Sequence, residues 1–527
     1  MKKPGYFAGA LTGILLTVPI IAVFYFGLKI FGLPFAPFDV FDLVSGLLPG
    51  PIITFSIERM VAIIRGLNLG ETAVVAKAAE MTMGVIIFLV AGIVAGLIIQ
   101  AVMRVLKGSY VLWAAIIAAI FAIPIMIITL MRNKTSSISP IIIAIWIFAL
   151  FIVWGITFGL VYRRSPASGR QIAAVNTQRR WFLGKLAGSV AVVSIAAAGS
   201  GFLFRKRKPE IVDLPWSATH PLPNADAVVQ PAPGTRPEFT AVKNHYRIDI
   251  NLMPPHVDIN NWRLQIKGLV NNPHEYTIDE IRAMPSMSQF VTLECISNPV
   301  AGDLISTQRW TGTSMKKFLD EIGVRPEATH LNIISVDGFH ETVSLDEIKG
   351  DDRVMLTYDW DGLPLPVSHG FPLRIYIPNH YGMKQPKWIE SMEAVVRSED
   401  GYWVVRGWDR LAKVKATSVI DTIAADSQIA GPDGGMLVPV GGIAYSGARG
   451  ISRVELQIDG GDWREAELRT PLSDTTWVIW RYNYPYEKGE HTFTVRCYEA
   501  DGTPQIEAEA PPHPSGATGY HMVTVNI

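Results

Sequence analysis

The chain has only two cysteines, Cys295 and Cys497, so it can build neither a disulfide framework nor a cysteine-rich iron–sulfur or zinc site, and any sulfur chemistry must come from a single residue. Cys295 stands in Thr292-Leu293-Glu294-Cys295-Ile296-Ser297-Asn298, just past an apolar run that reads as a strand. Strand ends and the loops after them commonly carry functional groups. A lone cysteine is nevertheless more often a small buried hydrophobe than a ligand, so its company decides. Downstream come Asp361-Gly362-Leu363-Pro364-Leu365-Pro366-Val367-Ser368-His369-Gly370-Phe371-Pro372-Leu373-Arg374 and Ile377-Pro378-Asn379-His380-Tyr381-Gly382-Met383-Lys384-Gln385-Pro386-Lys387-Trp388-Ile389. These segments carry His369, Arg374 and Lys387, the first two readable by themselves as a turn histidine and a surface arginine. Upstream, Lys243-Asn244-His245-Tyr246-Arg247 is a further polar segment, equally readable as an exposed strand.

The order of a cysteine, then Trp310-Thr311-Gly312, then the segment Gly362–Arg374, then Lys387-Trp388-Ile389 resembles the sulfite oxidase family of molybdopterin enzymes, over roughly residues 239–527. The resemblance implies one pyranopterin, supplying two dithiolene sulfurs to molybdenum, and one soft protein thiolate. Cys295 matches that metal ligand. Asn244, Tyr246, Arg247, Asp337, His369, Arg374 and Lys387 match cofactor contacts, and Cys295, Arg309 and Trp408 are the expected catalytic positions. The chain departs from the animal and plant enzymes in two places. Pro299 and Val300 stand where those enzymes carry arginines of an anion pocket, and Trp408 stands nearest to their active-site tyrosine. Arg309, Arg247 or Arg406 could restore cationic character, while Arg309 could equally pair with an acidic neighbour.

The elements that must position these residues are short β-type runs (Trp262–Ile266, Val291–Leu293, Leu373–Ile377) and helical segments such as Ser314–Ile322, a mixed α+β pattern. From about Thr417, short alternating strands with Gly/Asp turns suit a β-sandwich. By the resemblance it is the family's immunoglobulin-like domain of dimerisation type. Cys497 shares a strand face with Val495 and Phe493 and reads as core.

The N-terminal part has a different character. Runs of about 20 apolar residues, the length that crosses a bilayer as helix, occur near Phe7–Phe31, Met81–Met103, Tyr110–Met131, Pro140–Tyr162 and Leu183–Phe204. Val40–Ile57, interrupted by Pro49-Gly50-Pro51, reads as interfacial or re-entrant. With five spans, Lys2-Lys3, Arg104/Lys107 and the cluster Arg163–Arg180 fall on one side, which the positive-inside rule assigns to the cytoplasm. The C-terminal part is then extracytoplasmic. Arg132, Lys134 and Arg205-Lys206-Arg207-Lys208 lie on the other side, and the rule gives no account of them. Gln178-Arg179-Arg180-Trp181-Phe182-Leu183 looks like a twin-arginine export segment, or like a helix end marked by two arginines.

The expected organisation is therefore a helical membrane bundle of about five spans over 1–204, a proline-rich linker over 205–238, an α+β molybdopterin domain over 239–414 and an immunoglobulin-like sandwich over 415–527. All 11 histidines lie at or after His220, so no span offers histidine ligands, no haem is expected in this chain, and electrons must be exchanged with a separate carrier or membrane redox partner. The basic total of 47 equals the acidic total of 47, and no basic stripe with interleaved aromatics suggests nucleic acid. The expected activity is oxygen-atom transfer to or from a small oxyanion or S-oxide, at the cell membrane and in contact with lipid, in a possible homodimer. A cofactor-free tethered binding module is the alternative. A transporter is disfavoured because residues 81–204 hold no acidic residue or histidine to couple ions.

Overall fold

The computed structural model describes residues 5–106, 108–133, 138–164, 172–203 and 214–527. For residues 164, 172–184, 186, 187 and 201 only the backbone is described. The chain divides into two units. The first comprises Met1–Leu48, Ala76–Ile211 and Ile250–Asp258, the second Pro49–Val75, Val212–Asp249 and Ile259–Ile527.

Among the described residues the N-terminal region holds the helices α1 Tyr6–Phe31, α2 Ala36–Leu47, α3 Gly50–Gly66, α4 Thr72–Val105, α5 Tyr110–Arg132, α6 Pro140–Arg164 and α7 Ile172–Leu203. Among the described residues α1, α4, α5 and α6 are long and apolar enough to cross a membrane. α2 and α3 meet at a 118° bend and make a fifth span only if counted together. Pro49 lies at that break and Pro51 opens α3, as expected for proline at a helix start. The expected last span, Leu183–Phe204, falls in α7, whose described apolar stretch is the shorter Gly188–Ser200, and Phe204 lies outside the described residues. The side chains of the twin-arginine-like segment and the run Arg205–Lys208 also lie outside them.

Small residues bring the helices of the first unit together, as is usual where lipid supplies no hydrophobic drive. A Cβ on Gly13 would lie 2.3 Å from the Gly92 carbonyl oxygen, and one on Gly96 would lie 2.4 Å from that of Gly9, so α1 and α4 touch backbone to backbone. Gly155 and Gly159 do the same for α6 against α5. Phe24, Phe88, Ile99, Ile147 and Phe158 fill the space between. The unit also takes in Ile250–Asp258. Leu252 N–H donates to Asp42 Oδ1 at 3.2 Å, Arg132 Nη1 donates to Asn251 Oδ1 at 3.1 Å and lies 3.4 Å from Asp42, and Lys77 Nζ donates to the Asn251 carbonyl at 2.9 Å. Arg132, a cation the positive-inside rule left over, is thus a structural partner of Asp42.

The second unit holds four sheets. One runs Glu275–Tyr276, Leu264–Gly268, Ile389–Val395, His330–Ser335, His340–Ser344, with only the Leu264–Gly268/Ile389–Val395 pair parallel. Another runs Ser286–Glu294, Ile305–Ser314, Met355–Trp360, Leu363–Pro364, with Arg374–Tyr376 also on Met355–Trp360. Local sequence sets the helices between them. Thr277 and Glu280 form a reciprocal capping box on Ile278–Ala283, and Ser314 caps Met315–Ile322, which ends at Gly323 in the left-handed region with φ 63°. Beyond Thr417 two antiparallel sheets enclose one core of Ile420, Val440, Trp480, Val454, Phe493, Val495 and Cys497. Cys497 is fully buried, as its strand face implies.

The described part of the proline-rich stretch, from residue 214, is irregular but not loose. Arg469 donates to the carbonyls of Asn224 (2.9 Å) and Val229 (2.8 Å) and pairs with Glu238 at 3.1 Å, while Arg236 pairs with Asp421 at 2.6 Å. Backbone without helix or sheet partners needs such side-chain donors when it is buried.

Candidate active site

The strand Ser286–Glu294 ends where Cys295 begins its loop, and a short hydrogen-bond relay fixes the loop. Asn298 Nδ2 donates to Glu294 Oε1 at 2.9 Å, and Asn298 Oδ1 accepts from Leu304 N–H at 3.0 Å. Cys295 N–H donates to the Leu304 carbonyl at 2.9 Å. The thiol is buried, and Sγ lies 3.0 Å from Ser297 Oγ. Burial pushes the thiol's pKa up and the Ser297 hydroxyl pulls it back. Glu294 is pushed up to about 7 by burial against the hydrogen bond from Asn298. Its Oε2 has no partner among the described residues.

A second group of side chains forms a cationic wall. Alternation on Ile305–Ser314 turns Trp310 into the interior, where it meets Trp360 at 5.1 Å between ring centroids. The Arg374 guanidinium lies 4.5 Å from the Trp310 centroid and 5.4 Å from that of Trp360, and its Nη1 donates to the His369 carbonyl at 3.1 Å. His369 lies 4.8 Å and His245 4.4 Å from Trp360, with 5.2 Å between the two imidazoles. Gly370, at φ 118°, lets the wall close: a Cβ there would stand 3.1 Å from Arg374 Cβ and 3.3 Å from Lys387 Cβ. Lys387 Nζ donates to Asp249 Oδ2 at 3.2 Å and to the Ile248 carbonyl at 3.1 Å, and Asp249 also takes Arg247 Nε at 2.7 Å.

Burial and neighbouring cations together decide the protonation states. Burial, then the charges of Arg374 and Lys387, hold His245 down at about 3, so its imidazole is neutral. His369 is likewise depressed, first by burial and then by His245 and the surrounding cations. Burial lowers Lys387 to about 8, against the Asp249 carboxylate. Arg374 is lowered too, yet a guanidinium on two indole faces remains the cation of choice at such a site.

The structure thus brings together Cys295, Tyr246, Arg247, His369, Arg374 and Lys387. Tyr246 links the two halves. Its ring packs with the Cys295 cluster and with the Trp310/Trp360 cluster, and burial raises its phenol far above the usual range. The other expected residues lie apart. Asn244 is exposed in a single turn, Val242–Asn244, and Asp337 accepts from Phe339 N–H at 3.1 Å in the turn joining two strands. Arg309, next to Trp310, takes the opposite side of the strand and lies 4.7 Å from the Trp216 centroid. Arg406 lies over Tyr402 at 3.6 Å. Trp408 belongs to the core that contains Ile296, edge-on to His513 at 5.1 Å. His245 is the residue that sequence reasoning passed over. It stands inside the segment Lys243–Arg247, whose polar residues carry no period to mark which of them is buried.

The wall suits an anionic group held beside a thiolate. Arg374 Nε and His245 Nε2 are buried without hydrogen-bond partners among the described residues. His245 Nδ1 donates to the Tyr246 carbonyl at 3.1 Å, which leaves Nε2 of the neutral ring an acceptor, while Arg374 Nε is a donor. Unsatisfied buried polar atoms of either kind are costly and call for partners. Phosphate or ring-edge acceptors of a pterin would pair with Arg374, a ring-edge N–H would donate to His245, and Cys295 would supply the soft metal ligand.

The family profile of the oxidoreductase molybdopterin-binding domain matches residues 251–403. Mouse mitochondrial sulfite oxidase is 27% identical over 327 residues, covering 53% of this chain and 59% of the mouse protein. A protein of Azospira oryzae whose name provisionally makes it a protein-methionine-sulfoxide reductase subunit, YedZ1, is 28% identical over 153 residues, covering 29% of this chain and 56% of its own. The chain therefore spans less than two thirds of the length of these relatives. Among solved structures, the sulfane dehydrogenase SoxCD of Paracoccus pantotrophus aligns at 18% identity and a TM-score of 0.49, over 61% of this chain and 93% of its own.

Proposed function

Because the chain belongs to the sulfite oxidase family of molybdopterin-dependent oxidoreductases, we propose that it catalyses oxygen-atom transfer, oxidising a sulfite-type substrate or reducing an S-oxide, while anchored in the cell membrane. The observation that carries this reading is the convergence of a buried thiol, Cys295, with three cations and two imidazoles in one wall. The bound cofactor would supply the metal that exchanges an oxygen atom with substrate and electrons with a carrier.

This chain's side chains do the rest. Arg374 would present a buried donor to the cofactor and His245 a buried acceptor, and Arg247 and Lys387, held by Asp249, would balance its negative charge. Burial favours the protonated Cys295 thiol, which would give up its proton in serving as ligand, since metal ligation needs the thiolate. The relay of Asn298 and Glu294 keeps the thiol at the strand end, and Trp310, Trp360 and Tyr376 exclude water behind the wall.

The apolar helices form the anchor. The basic residues near their ends, Arg104 and Arg163 among them, support a cytoplasmic side for those ends and an extracytoplasmic catalytic domain. Electrons pass to or from a separate carrier, because the spans hold no histidine for a haem. The two C-terminal sheets are the family's immunoglobulin-like domain and the surface through which two copies would pair.

The test is metal and pterin analysis of protein made in a host that loads a known molybdoenzyme, followed by assays with sulfite and with S-oxides. About one molybdenum per chain, the single-thiolate expectation, supports the reading. An empty protein beside a loaded control would favour a tethered binding module without cofactor.

A further inference from the structure

The segment between α2 and α4 belongs with the catalytic unit, not with the helices that flank it in sequence. α3 is amphipathic. Thr54 and Ile64 are buried and Ile53, Ile57, Met60 and Val61 half-buried at helical spacing, whereas Ile52, Phe55 and Ile63 are exposed. The inner face is fixed at several points. A Cβ on Gly50 would lie 2.6 Å from Arg406 Cα, Thr54 Oγ1 donates to the Arg406 carbonyl at 3.4 Å, and Arg65 Nη2 donates to the Val300 carbonyl at 3.3 Å. The strap ends at the first turn of α4, where Thr72 N–H donates to Asp303 Oδ2 at 2.7 Å. There Ala73 is buried in one small apolar cluster with Cys295 and Leu304, against Tyr246 and Ile248. Val300, Leu304 and Asp303 all belong to the loop that Cys295 opens.

We propose that residues 49–75 form the outer wall of the Cys295 pocket and that Ala73 limits the size of the substrate that reaches the metal. The inference rests on the molybdoenzyme reading for its substrate, but the wall itself is a property of the chain. The strap meets this loop through Arg65 at the Val300 carbonyl and presents the Ala73 methyl group to Cys295 and Leu304.

The test separates the wall from the cofactor. Full-length chain is purified in detergent from a host unable to make molybdopterin, and the rate of maleimide labelling of Cys295 is read by mass spectrometry, with Cys295→Ser as the background control. Asp303→Ala removes the acceptor of Thr72 N–H and should speed labelling roughly tenfold, the equivalent of one lost charge-assisted hydrogen bond. Asp303→Asn, which keeps an acceptor oxygen, should label near the wild-type rate. Thr72→Pro removes the donor at the first helical position, where proline is tolerated, and should match Asp303→Ala; it serves if that variant fails to fold. In loaded enzyme, Ala73→Leu should keep its molybdenum and raise KM for a bulky aryl sulfoxide more than for dimethyl sulfoxide. Wild-type labelling rates in both Asp303→Ala and Thr72→Pro, or an equal KM change for both sulfoxides, would overturn the proposal. Absence of molybdenum in every protein would instead overturn the enzymatic reading and leave the labelling result standing.

Discussion

At the scale of the residue, the cationic wall predicts how cofactor retention depends on pH. Lys387 sits at about 8 through burial. Its charge favours an anionic cofactor, so affinity should be full below about 8 and fall as pH rises through that value, while the bound anion itself drags the lysine upward. Pterin retained after dialysis at pH 7 and at pH 9 measures this, and Lys387→Met should abolish the difference. Glu294 gives a second titration. Its carboxyl is raised from 4.5 to about 7, so the folded state binds the proton more tightly. The stability it contributes is present below the unfolded value and is lost as pH rises from 4.5 through 7. Glu294→Gln keeps an acceptor for Asn298 and should flatten the fall in melting temperature over that window.

Much of this site was legible as residue types in order, because Cys295, His369, Arg374 and Lys387 lie in recognisable local motifs. Which neighbours point inward was not legible. Arg309 and Trp310 differ by one position on a strand, and only the pairing that buries Trp310 against Trp360 sends Arg309 to Trp216. His245 was passed over for the same reason: a polar segment without regular period does not declare which member is buried.

At the scale of the element, helices were the easier part, since uninterrupted apolar runs of span length need no tertiary partner to be recognised. α1, α4, α5 and α6 fall where the sequence placed them, although α4 begins at Thr72, well before its apolar run. Their contacts depend on glycine spacing. Gly9/Gly13 and Gly92/Gly96 each repeat at four residues, and a side chain at Gly13 or Gly96 would meet carbonyl oxygen well inside contact distance. Gly96→Leu should therefore separate α1 from α4 and lower the thermal stability of the detergent-solubilised protein by several degrees, roughly the effect of 1–3 kcal/mol of overpacking. An unchanged melting temperature would show that the two helices do not pack through these glycines. The α2–α3 pair was readable only as an anomaly, an apolar stretch broken by Pro49-Gly50-Pro51. That α3 turns its inner face to Arg406 and Val300 is a long-range fact with no local signature.

At the scale of the whole molecule, each unit contains a piece of chain whose sequence neighbours lie in the other. Pro49–Val75 serves the catalytic unit, and Ile250–Asp258 serves the helical one through Asp42, Arg132 and Lys77. Composition does not reveal such exchanges, because Pro49–Val75 is apolar, like the helices around it, and Ile250–Asp258 is only nine residues long. The exchange predicts that Asp42→Ala, which removes the acceptor for Leu252 N–H and one of the two partners of Arg132, leaves both portions folded but makes residues 250–258 cleavable by protease in detergent. Resistance equal to wild type would contradict it. On topology, a reporter joined after Ile527 should be active only on the extracytoplasmic side, and a cytoplasmic signal would reverse the assignment made from the basic residues.

The central claim is that Cys295 is the protein's ligand to molybdenum, and the most direct measurement is the sulfur coordination of the metal by X-ray absorption in the wild type and in Cys295→Ser. The account predicts one fewer sulfur neighbour in the variant, or loss of the metal altogether. An identical sulfur shell in a fully loaded Cys295→Ser protein would contradict it.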